Sequence, residues 1–192
     1  NAVEVECAID YLIGKAKPSR LHKVTIELCA EGLVASKLAK DLDDARNTLN
    51  KSLDSGLAAE KFAKMVHILG GPSDLIENPK KYLAQAPIKV PVKAKQAGYI
   101  SRFNTRELGL AVVALGGGRL RSDQVIDPAV GLTKIVELGS RVEEGDELMI
   151  IHAQSEDDAQ MATKMIEKAC FLTDAIEEIP KLIPNRIGIA DI

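Results

Sequence analysis

Apolar positions through the first seventy residues recur at intervals of three and four, the signature of helices with one buried face. Val5, Ala8, Ile9 and Leu12 form such a stripe over residues 3–13, and Gly14 stops it. Asn1 and Glu4 have the spacing of a capping box at its start. Residues 22–38 carry Val24, Ile26, Leu28, Cys29, Ala30, Leu33 and Val34 around most of the circumference. A helix apolar nearly all round is expected in an interior. Asp41, with Asp44 three residues on, predicts the cap of a third helix built on Leu42, Ala45, Leu49 and Leu53, which Ser55 and Gly56 break. A fourth rests on Ala58, Phe62, Met65, Val66 and Leu69 and closes at Gly70-Gly71-Pro72.

Near residue 87 the period falls to two. Residues 88–94 alternate apolar with polar, and Pro91 confines that strand to an edge or a bulge. Residues 98–103 read as a second strand, and Asn104 with Glu107 caps a helix over 105–115 that Gly116, Gly117 and Gly118 terminate. Residues 133–138 and 147–152 read as a β pair joined through the turn-rich segment 139–146. Ser155 caps a long terminal helix with Ala162, Met165, Ile166, Ala169, Leu172 and Ile176 on its stripe, and Pro180 and Pro184 mark the exit. The pattern predicts an α+β or α/β chain: a helical part over 1–70, a linker over 71–86, and an α+β part over 87–192. Residues 183–192 are expected to form a tail or an added edge strand.

Composition narrows the function classes. Of 192 residues, 46% are hydrophobic and 28% charged, the balance of a chain that buries a core. Lysine and arginine number 25 against 28 acidic residues, so no basic excess exists to neutralise a nucleic-acid backbone. No apolar run approaches the ~20 residues of a membrane-spanning helix, and no cationic-then-apolar start resembles a signal peptide. Cys7, Cys29 and Cys170 stand singly, as expected of a reducing compartment, and the cytoplasm is the expected location.

Chemistry-bearing patterns are sparse. Three glycines followed by Arg119 suggest an anion loop. In phosphate loops, however, the glycines precede a helix and use its positive end, whereas here the helix comes first. A helix C-cap and tight turn is therefore expected, with Arg119 and Arg121 solvated. Cys7, Cys29, Cys170, His22, His67 and His152 lack the paired spacing of a metal site. His67 is expected packed or at a rim, and His152 in a cap or turn hydrogen bond. Cys29 is expected to be an inert core thiol. The carboxylates Glu143, Glu144, Asp146 and Glu147 are expected to form a solvated turn. No segment places a nucleophile beside a base, so the expected catalytic, substrate-binding and metal residues are none.

Several strings together resemble one family. Asn1-Ala2-Val3-Glu4-Val5, Leu38-Ala39-Lys40-Asp41, Gly71-Pro72-Ser73-Asp74, Glu77-Asn78 and Lys81-Tyr82-Leu83 are similar to the later portion of the thymidine and pyrimidine-nucleoside phosphorylases. The run 108–119, ending Gly116-Gly117-Gly118-Arg119, resembles the C-terminal domain of that family, together with Ile126-Asp127, Val130-Gly131 and Ile151-His152-Ala153. The likeness covers about residues 1–175 and is strongest to the thymidine-specific branch.

The resemblance implies the helical part of a large α/β domain, then a C-terminal α+β domain with a barrel-sandwich-like β part and a long terminal helix. It implies a cytoplasmic, homodimeric pentosyltransferase of pyrimidine nucleoside salvage that binds thymidine and phosphate. Phosphate is a co-substrate, and no cofactor is implied. The family's phosphate and pyrimidine motifs are absent from these 192 residues and belong to its earlier portion. A chain opening on Asn1 is thus expected to be a C-terminal piece, inactive alone, whose first partner is the missing N-terminal portion. Cys7 stands where some members carry a cation-binding glutamate. Residues 142–148 also resemble the turn of biotinyl and lipoyl carrier domains, which keeps an independent binding or carrier-like module as the alternative.

Overall fold

The computed structural model describes residues 1–187. It divides into two units, one of Glu6–Tyr82 with the stretch from Pro180 onward, the other of Asn1–Val5 and Leu83–Ile179. Five helices precede the first strand: α1 (Ala2–Leu12), α2 (Ser19–Ala35), α3 (Leu42–Asp54), α4 (Leu57–Ile68) and the single turn α5 (Pro79–Tyr82).

Local chemistry explains where several of them begin. The Asp41 carboxylate accepts the Asp44 backbone N–H at 2.8 Å and starts α3 as its spacing predicts. Helices α2 and α3 pack together, and Ile26, Ala30 and Ala45 on them are buried. Arg46 ties the same pair, with Nε and Nη2 donating to the two Glu27 carboxylate oxygens at 2.8 and 2.7 Å. That fork lowers the Glu27 pKa below the usual carboxylate value. Farther along, the Asp74 carboxylate accepts from the Tyr82 hydroxyl and from Asn78 Nδ2 at 3.1 Å, fixing α5 to the segment before it. Near the end of the described chain, Arg186 Nε reaches Glu31 on α2 at 2.6 Å. Residues 183–187 form no strand, and the rest of the expected tail, 188–192, lies outside the described residues.

Three expectations for these helices are corrected. Helix α2 is not interior: Leu28 is 65% exposed and Cys29 is exposed, so Cys29 is not a core thiol. Its partner α3 covers one face, and a pattern apolar all round shows what a helix can bury, not which neighbour is there to bury it. On α4 no residue is fully buried, and Met65, His67 and the flanking Leu69 are all exposed. At the chain start, the Asn1 carbonyl accepts from the Glu4 and Val5 N–H groups. The Asn1 and Ala2 nitrogens donate to the Pro128 carbonyl at 3.3 and 2.8 Å, so backbone groups close the turn where a side-chain box was expected.

The other unit is built on strands β1 (Ile88–Lys93), β2 (Gly98–Phe103), β3 (Gly131–Thr133), β4 (Arg141–Val142), β5 (Glu147–Ala153) and β6 (Cys170–Thr173). Helix α6 (Thr105–Val112) follows β2 and continues as a π-helical turn, Val113–Gly117; helix α7 (Glu156–Ala169) follows β5. The strands form two antiparallel three-stranded sheets, ordered β1-β5-β3 and β4-β2-β6. Pro91 lies on an edge strand opposite Ile150, with a register shift just beyond it, as its missing N–H requires. Val92, Met149 and Ile151 from the first sheet meet Leu108, Ala111, Leu115, Ala159, Ala162, Ile166 and Ala169 from the helices. A smaller core gathers Ala94, Ile100, Val142 and Leu148. The caps at Asn104 and Ser155 form, accepting the Glu107 and Asp158 N–H groups at 3.4 and 3.1 Å.

Two spans differ from the pattern. The strand expected over 133–138 is Gly131–Thr133, because Lys134 takes a φ of 52° that breaks the extended run. It does pair with β5, but 141–142 between them pairs with β2 in the other sheet, so the two strands are not a simple hairpin. The terminal helix stops at Ala169, not near 179. Cys170 to Thr173 turn extended and pair with β2, with Phe171 lying under the Arg102 guanidinium at 4.1 Å from the ring centre.

Candidate functional site

Of the strings that carry the resemblance, those at 108–119, 126–127, 130–131 and 151–153 lie in the strand-bearing unit, around the end of α6. Gly116 has a φ of 94°, a left-handed backbone that favours glycine, and it turns the chain out of the π-helical stretch. A side chain on Gly117 would lie 2.8 Å from Val112 Cγ1 and 3.1 Å from the Val112 carbonyl oxygen, so the turn tolerates only hydrogen there. The reading of these glycines as a C-cap and tight turn agrees with this geometry. They open a loop over residues 117–126 that returns at Asp127.

Asp127 closes the base of that loop. Its backbone N–H donates to the Gly116 carbonyl at 2.9 Å. Its Oδ1 accepts the Ala129 N–H at 2.8 Å, and its Oδ2 accepts from Gln154 Nε2 at 2.6 Å. One residue thereby joins the end of α6, the start of β3 and the end of β5. Next to it, the buried His152 brings Nε2 to 2.7 Å from Thr133 Oγ1, across the β3–β5 pair that aligns it with Gly131. The expected hydrogen-bonded histidine is found, and its bond to Thr133 crosses strands.

The loop tip is exposed. Gln124 Oε1 accepts the Leu120 and Arg121 N–H groups at 2.7 and 3.1 Å, and the Arg121 guanidinium pairs with Asp123 at 2.9 Å. Arg119 is exposed as expected, and Leu120 and Val125 are 75% and 91% exposed. Such a tip can present a cation and two apolar groups to another surface. The His152 imidazole is engaged with Thr133.

The remaining candidates stay apart. His22 Nδ1 lies 2.8 Å from the Tyr11 hydroxyl, and burial, then the Lys17 charge, lowers its pKa below the ordinary value. Glu143, Glu144, Asp146 and Glu147 are exposed on their turn, where Asp146 Oδ2 accepts the Glu143 N–H at 2.8 Å. Among the described residues, no three His, Cys, Asp or Glu gather as a metal site, and no helix is long and apolar enough to cross a membrane. Sequence reasoning missed the part played by Asp127 and Gln154. The dipeptide Asp127-Pro128 is a turn signal, because an aspartate accepts hydrogen bonds from the backbone two residues on; Gln154 had no such signal.

Cys170 lines a cleft of about 230 Å³ with Lys93, Leu148 and Phe171. Burial pushes its thiol up to about 11, so little thiolate forms at pH 8, whereas Cys7 and Cys29 are exposed. Iodoacetamide at pH 8 is expected to label Cys7 and Cys29 well before Cys170, with Cys170 labelling accelerating as pH approaches 11; mass spectrometry of the peptides reads the order. Equal rates at pH 8 would contradict the burial.

Comparison with known proteins places this geometry. Residues 99–172 match the pyrimidine nucleoside phosphorylase C-terminal domain, from β2 into β6. Its relatives include thymidine phosphorylases: it is 51% identical to one from Burkholderia cenocepacia over 95% of this chain and 42% of that protein. It is 50% identical to one from Burkholderia orbicola, over 98% of this chain and 43% of the relative. For one from Agrobacterium fabrum the identity is 44%, over 97% and 43%. The chain thus spans less than half the length of these relatives. The family resemblance drawn from the short strings is borne out.

Proposed function

We propose that this chain is the C-terminal part of a thymidine phosphorylase. The protein to which it belongs converts thymidine and phosphate reversibly into thymine and 2-deoxyribose 1-phosphate. The observation that carries the reading is the roughly half identity to thymidine phosphorylases along nearly the whole chain. In this reaction the bond from the deoxyribose C1′ to N1 of thymine breaks, a phosphate oxygen bonds to C1′, and N1 takes up the proton that the phosphate gives up. In this reading the groups that drive that exchange belong to the rest of the enzyme, and the Thr133–His152 pair here joins β3 to β5.

Its part is to hold groups in place, which enzymes use to lower barriers by positioning. Residues 1–70 belong to the large domain of the whole enzyme, 71–86 link, and 87–192 form the C-terminal α+β domain, whose two small sheets suit a barrel-sandwich-like arrangement. The loop over 117–126 forms part of the wall of the cleft that closes on substrate. The enzyme works as a cytoplasmic homodimer in nucleoside salvage, without a cofactor, and the exposed face of α2 at Leu28 and Cys29 packs against the remainder of the large domain. The test is to purify the longer polypeptide containing this chain from a host lacking its own enzyme. Phosphate-dependent release of thymine from thymidine is expected; its absence, with the protein folded, would overturn the reading.

A further inference from the structure

We propose that Asp127, held by Gln154, is a positioning residue that fixes the base of the 117–126 loop in its working placement. The inference rests on the assignment of that loop to the cleft wall of a thymidine phosphorylase. At the tip, Gln124 gathers the Leu120 and Arg121 N–H groups and Asp123 takes the Arg121 guanidinium, so the tip moves as one body. At the base, Gly116, Gly117 and Gly118 lead into the loop, and glycine backbones resist rotation less than others. The link that stops the body from swinging about this hinge is the set of three bonds at Asp127, to Gly116, Ala129 and Gln154. Two of the three use the carboxylate, and they anchor it to segments on either side of the β3–β5 pair.

A carboxylate is not required for this role. In Asp127→Asn, the amide oxygen still accepts the Ala129 N–H, and the amide nitrogen donates to Gln154 once that side chain turns its oxygen inward. In Asp127→Ala, both side-chain bonds are lost while the backbone bond to Gly116 remains. Gln154→Ala removes one bond through an exposed side chain, with little consequence for folding.

The experiment uses the longer polypeptide and measures thymidine phosphorolysis beside trypsin cleavage after Arg119 and Arg121. Asp127→Ala is expected to lose about tenfold or more in kcat/KM, the scale on which misplaced groups act. Cleavage at the two arginines should speed up while the thermal unfolding of the rest is retained. Gln154→Ala should show a smaller loss of the same kind, and it carries the test if Asp127→Ala does not fold. Asp127→Asn should recover most of both readouts. Unchanged kcat/KM in Asp127→Ala, or Asp127→Asn as damaging as Asp127→Ala, would overturn the proposal. A wild-type polypeptide inactive toward thymidine would instead remove the functional reading. Trypsin would then decide the anchoring alone, and equal cleavage rates in wild type and Asp127→Ala would overturn it.

Discussion

Ile166→Ala is expected to destabilise the chain by about 2–5 kcal/mol, while Ile176→Ala changes its stability by less than about 0.5 kcal/mol. The two isoleucines occupy the same apolar stripe in the sequence. Ile166 lies fully buried on α7 in the core with Val92, Met149 and Ile151. Truncating it removes buried methyl and methylene groups and leaves a cavity that a close-packed interior fills only in part. Ile176 is 63% exposed, beyond the end of β6, and a side chain already in water has little to lose. Urea unfolding of the two variants reads the difference, as a large fall in midpoint for the first and none for the second. Comparable losses would mean that α7 runs on through Ile176 and that the β6 pairing is wrong.

That contrast shows what the one-dimensional pattern could and could not reveal. Features written in a few neighbouring residues were legible: Asp41 with Asp44, Asn104 with Glu107, Ser155, Pro91 and the turn at Gly116 each act on atoms within about a turn of themselves. Features decided by distant partners were not. The spacing of Ala169, Leu172 and Ile176 continues a helical stripe, but the Ala169 carbonyl accepts the Asn104 N–H at 2.8 Å and Cys170 pairs with Phe103, so strand pairing overrides the period. Lys134 carries no mark of its positive φ. The apolar circumference of α2 was legible, yet its exposure at Leu28 depends on which neighbour lies against each face. At the candidate site, the Gly116–Arg119 string and Asp127 were both visible in the family resemblance. The bond from the Asp127 N–H to the Gly116 carbonyl, and the tie from Gln154, 27 residues on, to the Asp127 carboxylate, required the folded chain.

The largest functional effect expected is complete: these 192 residues alone do not split thymidine. A phosphorolysis centre must hold phosphate and nucleoside together and stabilise charge as the glycosidic bond breaks. The converging residues here are instead engaged with one another, Asp127 with Gln154 and His152 with Thr133, and on the proposed reading the groups that bind substrate belong to the rest of the enzyme. The decisive measurement is thymine release from thymidine and phosphate by the purified chain, made in a host without a thymidine phosphorylase and checked by circular dichroism for folding. The account predicts release no greater than in a protein-free control. Release that rises in proportion to the amount of chain would place the bond-breaking groups within it and contradict the account.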